Sequence, residues 1–332
     1  MMCFSWAHPA GRLAAARGEP NKRMHATRDT SAFIYLQRLR RARDARRYAA
    51  LRCWSIILKM ADRYLLYIDI LGFSDLVMKE PSRVEDLYEV IASLEVHNHD
   101  AFSTIIFSDT ILVYNLVDSS EAQDQVYVIM YLCEFVQDLI YRLAGRDIFF
   151  RALITRGNFN HYMLNDIQCY FGQALIDAYQ REKTIKCVGL FIDRKLLNRN
   201  PGYLSTKYND QTSFVFLTQN LERVEDTYRG MLPLPDVIAL DTDLCHYLGP
   251  EILMIRDIRE HSLHHPVEEV RAKYLAAWKL YKKAYPETLS KLEENDFDLR
   301  VINPRFDWSK LLSRLPEDCS WASTRIDLLL PE

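Results

Sequence analysis

Tyr64-Leu-Leu-Tyr-Ile-Asp-Ile-Leu-Gly-Phe-Ser74 decides how this chain is read, and Ile105-Ile-Phe-Ser-Asp-Thr-Ile-Leu-Val-Tyr114 answers it. The first stretch is apolar and aromatic to Asp69 and breaks at Gly72, which predicts a buried strand that delivers a carboxylate just before a tight turn. In the second, two apolar runs flank Ser108-Asp109-Thr110, the pattern of a hairpin with a second carboxylate at its tip. Two ionised carboxylates on adjacent strands repel, and a hard divalent cation held between them and a phosphate relieves that.

Around this pair the alternation of elements sets the fold class. Ser82 to Leu94 begins with a capping residue and carries Val84, Leu87, Val90, Ile91 and Leu94 at helical spacing. Ser119 to Leu143 reads as a long helix burying Val126, Ile129, Met130, Cys133 and Val136, with acids elsewhere on its surface. Ile148 to Thr155 is a strand ending at Arg156-Gly157, a loop runs through Asn165 and Asp166, Gln168 to Phe171 is a further strand feeding Gly172, Gln173 to Lys183 is a helix, and Val188 to Ile192 a strand. This order predicts an α+β fold, a ferredoxin-like β-α-β-β-α-β sheet with helices on one face. Parallel neighbours joined by right-handed crossovers would then bring Asp69 and the hairpin tip together at one sheet edge.

The rest of the chain bounds the organisation. Residues 1–60 form a basic extension, with Arg38, Arg40, Arg41, Arg43, Arg46, Arg47 and Arg52, and Met60 is a second candidate start; the extension is expected to be disordered or untranslated. Residues 61–200 carry the pattern above, and 201–332 a strand-helix extension, mainly helical, that packs on it. Thr212 to Leu217 reads as a strand, Met231 to Asp236 as a linker and Pro266 to Tyr285 as the best C-terminal helix, with Val270, Tyr274, Ala277, Trp278 and Tyr281 along one stripe. His261, His264 and His265 precede Pro266 in what reads as a solvated polar loop, without a carboxylate or cysteine at ligand spacing. Asn303 to Trp308 reads as a segment that docks back on the main domain.

Of 332 residues 49% are hydrophobic and 26% charged, an ordinary globular composition. A net charge of -3 gives no general pull toward nucleic acid or anionic membrane. The 7 cysteines are odd in number and scattered, which predicts free thiols and a cytoplasmic location. No uncharged apolar run reaches the roughly 18 residues of a spanning helix.

Four landmarks in order, Ile68-Asp-Ile-Leu-Gly-Phe73, Phe107-Ser-Asp109, Arg151-Ala-Leu-Ile-Thr-Arg-Gly157 and Gly172-Gln-Ala-Leu-Ile-Asp-Ala-Tyr-Gln-Arg-Glu182, resemble the class III nucleotidyl cyclase domain. The resemblance implies two Mg2+ or Mn2+ ions per site, held by Asp69, Asp109 and the backbone carbonyl of Ile70, with the triphosphate cradled by the turn from Leu71 to Ser74, including Gly72 and Phe73. It also implies a homodimer, because such sites draw on two subunits. The chain departs from the purine-specific pattern: Ile105 and Cys169 stand where a lysine and an acid read adenine, and Ile176 and Gln180 where an asparagine and an arginine stabilise the transition state. Ala178, Tyr179 and Glu182 match a pattern of the bacterial pyrimidine cyclases of Pycsar anti-phage systems. That likeness implies UTP or CTP as substrate, cyclic UMP or cyclic CMP as product, and a separate antiviral effector. Phe107 and Tyr179 are candidates to fill the smaller base pocket, Arg156 to donate to a pyrimidine carbonyl, and Arg181, four residues after Asp177, to meet the phosphates or an exposed ion pair. Arg151 reads as support for the fold. Two alternatives are a catalytically inactive homologue, acting as nucleotide sensor or dimerising scaffold, and a purine cyclase with displaced base contacts.

Overall fold

The computed structural model describes residues 61–94, 99–117, 119–200, 202–235 and 242–309. The basic extension and the Met60 start lie outside these residues.

Strand β1 (Asp62–Ile70) is buried from Tyr64 to Ile68, and because successive side chains point to opposite faces, both faces of the sheet are covered there. A short helix α1 (Phe73–Lys79) starts from Gly72, whose φ of 71° suits a residue without Cβ. Helix α2 (Pro81–Ala92) follows, then the hairpin of β2 (Phe102–Phe107) and β3 (Thr110–Asn115), helix α3 (Ala122–Leu143) and β4 (Phe150–Asn158). A separate two-stranded sheet of β5 (Asn160–Leu164) and β6 (Ile167–Phe171) precedes α4 (Gln173–Glu182) and β7 (Gly189–Asp193). Later come β8 (Ser205–Lys207), β9 (Thr212–Val215), α5 (Gln219–Tyr228), α6 (Thr242–His264), α7 (Glu268–Ala284) and α8 (Pro286–Glu294).

The main sheet has the order β2-β3-β1-β4-β7-β9-β8. Its first four strands keep the ferredoxin-like arrangement, and β7, β9 and β8 extend it. One expectation needs correction: the neighbours of β1 are both antiparallel, and the parallel pair is β4 with β7. A β-α-β crossover here skips one strand, and β3 fills the gap. Asp69 therefore lies on a central strand, at the strand ends and not at a sheet edge, opposite Thr110 of β3 and Arg151 of β4.

Other boundaries moved for local reasons. Pro81 takes the first turn of α2, where its missing N–H costs nothing, so Ser82 is inside the helix and Glu80 holds the N-cap position. Helix α3 packs against β1, β4, α2 and α6. Its buried arc is accordingly wide, including Gln125, Val128, Leu132, Phe135 and Leu139, while Val126 and Met130 are only half-buried. The loop expected through Asn165 and Asp166 is the turn of a hairpin, with Asn165 at φ 55°; Gln168 to Phe171 is strand as expected, and the partner strand from Asn160 to Leu164 is the addition. A Cβ at Gly172 would collide with the Asn158 carbonyl, so α4 can start this close to β4 only at glycine.

The C-terminal part holds the largest difference. Helix α6 carries no clear sequence signal, and it contains Pro250. Leu244, Cys245, Leu248, Ile252, Leu253, Met254, Ile255 and Ile258 are buried around its circumference, so no single-face periodicity marks it. The carboxylate of Glu251, fully buried, accepts from Tyr141 Oη at 2.9 Å, Asn220 Nδ2 at 2.8 Å and the Leu221 N–H at 2.8 Å, tying α6 to α3 and to the start of α5. Tyr274, Ala277 and Tyr281 of α7 are buried, and rings of Tyr281 and Phe214 lie 5.6 Å apart, edge to face, which seats α7 on β9. Two of the three histidines are not in a loop: His261 and His264 end α6, while His265 lies in the connection to α7, and His261 bonds Asp147 and stacks on Tyr274 at 4.7 Å. Trp308 is buried and donates from Nε1 to the Asn303 carbonyl at 2.8 Å, while Asn303 donates to Cys245 Sγ of α6. No helix among the described residues is long and apolar enough to cross a membrane.

Candidate functional site

The turn that carries Asp109 is tight. Phe107 pairs with Thr110, leaving Ser108 and Asp109 to reverse the chain, with Ser108 in the left-handed region at φ 55°. The Ile70 N–H donates to the Asp109 carbonyl at 2.9 Å, so the β1 ladder runs to the point where the two aspartates meet. Asp69 and Asp109 line one cleft of about 410 Å3, together with Tyr67, Thr110, Arg151, Tyr179, Glu182, Lys183, Lys186 and Lys273.

Arg151 organises the inner wall. Its Nη2 lies 2.8 Å from Asp69 Oδ2 and also pairs with Glu182, and its Nη1 donates to the Ile185 carbonyl at 2.9 Å. All three side chains are largely withdrawn from water, with 11%, 18% and 7% exposure for Arg151, Asp69 and Glu182. Burial raises the Glu182 carboxyl above its ordinary range, opposed by the Arg151 guanidinium and reinforced by the Asp69 charge. Burial also lowers the Lys273 ammonium below its ordinary range, with Arg151 adding to that.

The donor set suits a hard cation. Asp69 Oδ1 and Asp109 Oδ2 accept no hydrogen bond among the described residues; Asp69 Oδ2 is held by Arg151, and Asp109 Oδ1 by a long 3.4 Å contact from Thr110. Two oxygen ligands from adjacent strands match the preference of Mg2+ or Mn2+. Among the described residues no three His, Cys, Asp or Glu side chains converge, so the remaining ligands would be the Ile70 carbonyl and oxygens of a bound phosphate.

The other expected residues divide. Tyr179 lines the cleft, half exposed, with Lys183 Nζ 3.7 Å from its ring centre. Gly72 is exposed at the head of α1, and Phe73 is buried against Tyr88. Phe107 is 69% exposed at the hairpin end. Arg156 does not face this cleft. It pairs with Tyr64 in the β1–β4 register, five residues from Asp69, or about 17 Å at strand rise. There it binds Asp62 at 2.9 Å and lies over the Tyr64 ring. Arg181 pairs with Asp193 at 2.7 Å and not with Asp177, which accepts from Gln173. Arg151 could have been placed from the β1–β4 register once that pairing was known. Lys273 carries no sequence signal, because only the packing of α7 brings it here.

No family model matches the chain. No curated protein matches it either. Among solved structures it is similar to the guanylyl cyclase Cya2, at 13% identity over 46% of this chain and 90% of that one, with a TM-score of 0.34. It is also similar to the adenylyl cyclase CyaB from P. aeruginosa, at 11% identity over 47% and 93%, TM-score 0.34. A third is a class III adenylyl cyclase-like ATP-binding protein from Pseudomonas aeruginosa, at 15% identity over 42% and 35%, TM-score 0.31. These likenesses are too distant to bear on the chemistry, which rests on the cleft itself.

Proposed function

We propose that the protein is a nucleotidyl cyclase that converts UTP or CTP to the 3',5'-cyclic monophosphate and diphosphate. The observation that carries this is the meeting of Asp69 and Asp109 in one cleft, each with a carboxylate oxygen left over and with lysines across from them. Asp69, Asp109 and the Ile70 carbonyl would hold Mg2+ or Mn2+, two per site; when bound, the metal acidifies the ribose 3'-hydroxyl and neutralises the leaving diphosphate. Backbone N–H groups from Leu71 to Ser74 meet the phosphates. Tyr67 and Thr110, linked through Tyr67 Oη and Thr110 Oγ1 at 3.4 Å, line the floor behind the carboxylates. The 3'-oxygen attacks the α-phosphorus, the bond to diphosphate breaks, and the hydroxyl proton passes to water.

Pyrimidine preference rests on the resemblance and on Ile105 and Cys169. Ile105 is buried in the core and Cys169 makes only a weak contact to the Ile167 carbonyl, so neither offers a purine edge a polar partner. The second copy of a homodimer supplies base and transition-state contacts. Phe107, Arg156 and Arg181 are the candidates, and the two arginines would have to leave Asp62 and Asp193. The product acts in the cytoplasm on a separate antiviral effector.

One observation favours a second reading, a catalytically inactive homologue that senses nucleotide or serves as a dimerising scaffold. Arg151 already neutralises Asp69, and Ile176 and Gln180, both exposed on α4, cannot replace a transition-state asparagine and arginine. Incubation with each of the four ribonucleoside triphosphates and Mn2+, beside Asp69→Ala, with products separated by mass, decides between them. Cyclic UMP or cyclic CMP that disappears in the variant is the expected result. A cyclic purine would refute the base preference, and no product from a folded dimer would favour the inactive homologue.

A further inference from the structure

Lys273 stands on α7, outside the ferredoxin-like sheet, yet it lines the same cleft as Asp69 and Asp109. It also lines a neighbouring crevice of about 340 Å3 with Leu71, Gly72 and Asp75. It therefore sits between the paired carboxylates and the turn that starts α1. Its side chain is half-buried, and its ammonium has no ion pair or hydrogen bond among the described residues. Asp69, Glu182 and Glu269 act on it only from beyond ion-pair distance; a cation partly withdrawn from water is costly, and a bound anion lowers that cost.

Two more ammonium groups face the same space. Lys183 rests on the Tyr179 ring, and Lys186 has only a loose 3.6 Å contact with exposed Glu269. The cleft is lined by three carboxylates, Asp69, Asp109 and Glu182, against four cations, Arg151, Lys183, Lys186 and Lys273, so positive charge remains in excess. Three ammonium groups spread around one cleft exceed what a single carboxylate ligand would use. They match an anion with charge distributed over several oxygens.

We propose that Lys273, with Lys183 and Lys186, forms a polyphosphate clamp in this cleft, so that the C-terminal helix α7 supplies a phosphate ligand to the sheet's site from within the same chain. The proposed function enters only in identifying that polyphosphate as part of a nucleoside triphosphate; the clamp itself also binds the inorganic form.

The test is calorimetric titration of the full chain with inorganic tripolyphosphate, free of metal, at low and at raised salt. Wild type should bind, with affinity falling as salt rises. Lys273→Gln should weaken binding about tenfold, Lys183→Gln and Lys186→Gln by less, and Lys273→Arg should retain most of it. Lys279→Gln, exposed on the same helix and outside the cleft, should bind as wild type, and thermal melts establish that each variant is folded. Equal binding by wild type and a folded Lys273→Gln overturns the proposal, as does absence of binding to wild type. A tenfold loss in Lys273→Gln upholds the clamp even if no triphosphate is cyclised, so this inference and the proposed reaction fail separately.

Discussion

Strands β1 and β4 carry an arginine-aspartate pair at each end, and the two ends do different things. At one, Asp62 and Arg156 form a one-to-one pair with side chains 52% and 30% exposed, closed off by the Tyr64 ring. At the other, Arg151 is shared between Asp69 and Glu182, all three withdrawn from water, and Asp109 adds a further carboxylate. The residue types are the same and the strands are the same. What distinguishes a site here is an excess of charge that its neighbours do not cancel, gathered beside a cavity.

The comparison can be broken from the cleft end first. Asp109→Asn should lower cyclic nucleotide formation by more than about 100-fold, measured as initial rate with Mn2+; a rate near wild type would remove this end's claim to be the site. Next in size is Arg151→Met, which leaves two carboxylates buried without a partner. It should cost about 3 kcal/mol of unfolding free energy by denaturant titration. A loss under about 1 kcal/mol would mean that the inner wall is no more coupled than the surface pair.

A carboxylate outside the cleft sharpens the contrast, because Glu251 is fully buried yet satisfied by four donors. Burial nonetheless pushes its carboxyl up to about 7, opposed by those hydrogen bonds. A raised carboxyl means that the folded state holds the proton more tightly than the unfolded chain does. The associated stability is complete below about pH 4.5 and is lost as pH rises toward 7, by about 3 kcal/mol. Denaturant midpoints across that window should fall in wild type and fall less in Glu251→Gln. The smallest effect belongs to the far end of β1. Arg156→Met should change stability by less than about 1 kcal/mol, and a change in pyrimidine selectivity in that variant would restore its expected role as a base contact.

Sequence patterning captured the elements whose apolar run or stripe is bounded by a clear turn signal. The apolar run into Asp69, the hairpin around Asp109 and the helix from Gln173 all lie where periodicity and turn chemistry put them. It failed where burial surrounds a helix and erases the single-face stripe, as at α6, and where the partner is remote. Arg156 and Arg151 occupy one strand, and nothing local says which of them faces Asp69; the antiparallel register with β1 decides it. The lysines of the cleft are individually ordinary, and only the docking of α7 gives Lys273 its neighbours.

The double pairing of Asp69, opposite Thr110 on one side and Arg151 on the other, also bears on how this chain can change over time. Successive side chains on a strand point to opposite faces, so one added or removed residue in β1 would swing Asp69 away and present Ile68 or Ile70 instead. Correcting the slip would require matching insertions in two other strands at once. The chain can therefore explore new side chains around the cleft one at a time, but its length between Tyr64 and Gly72 is effectively frozen.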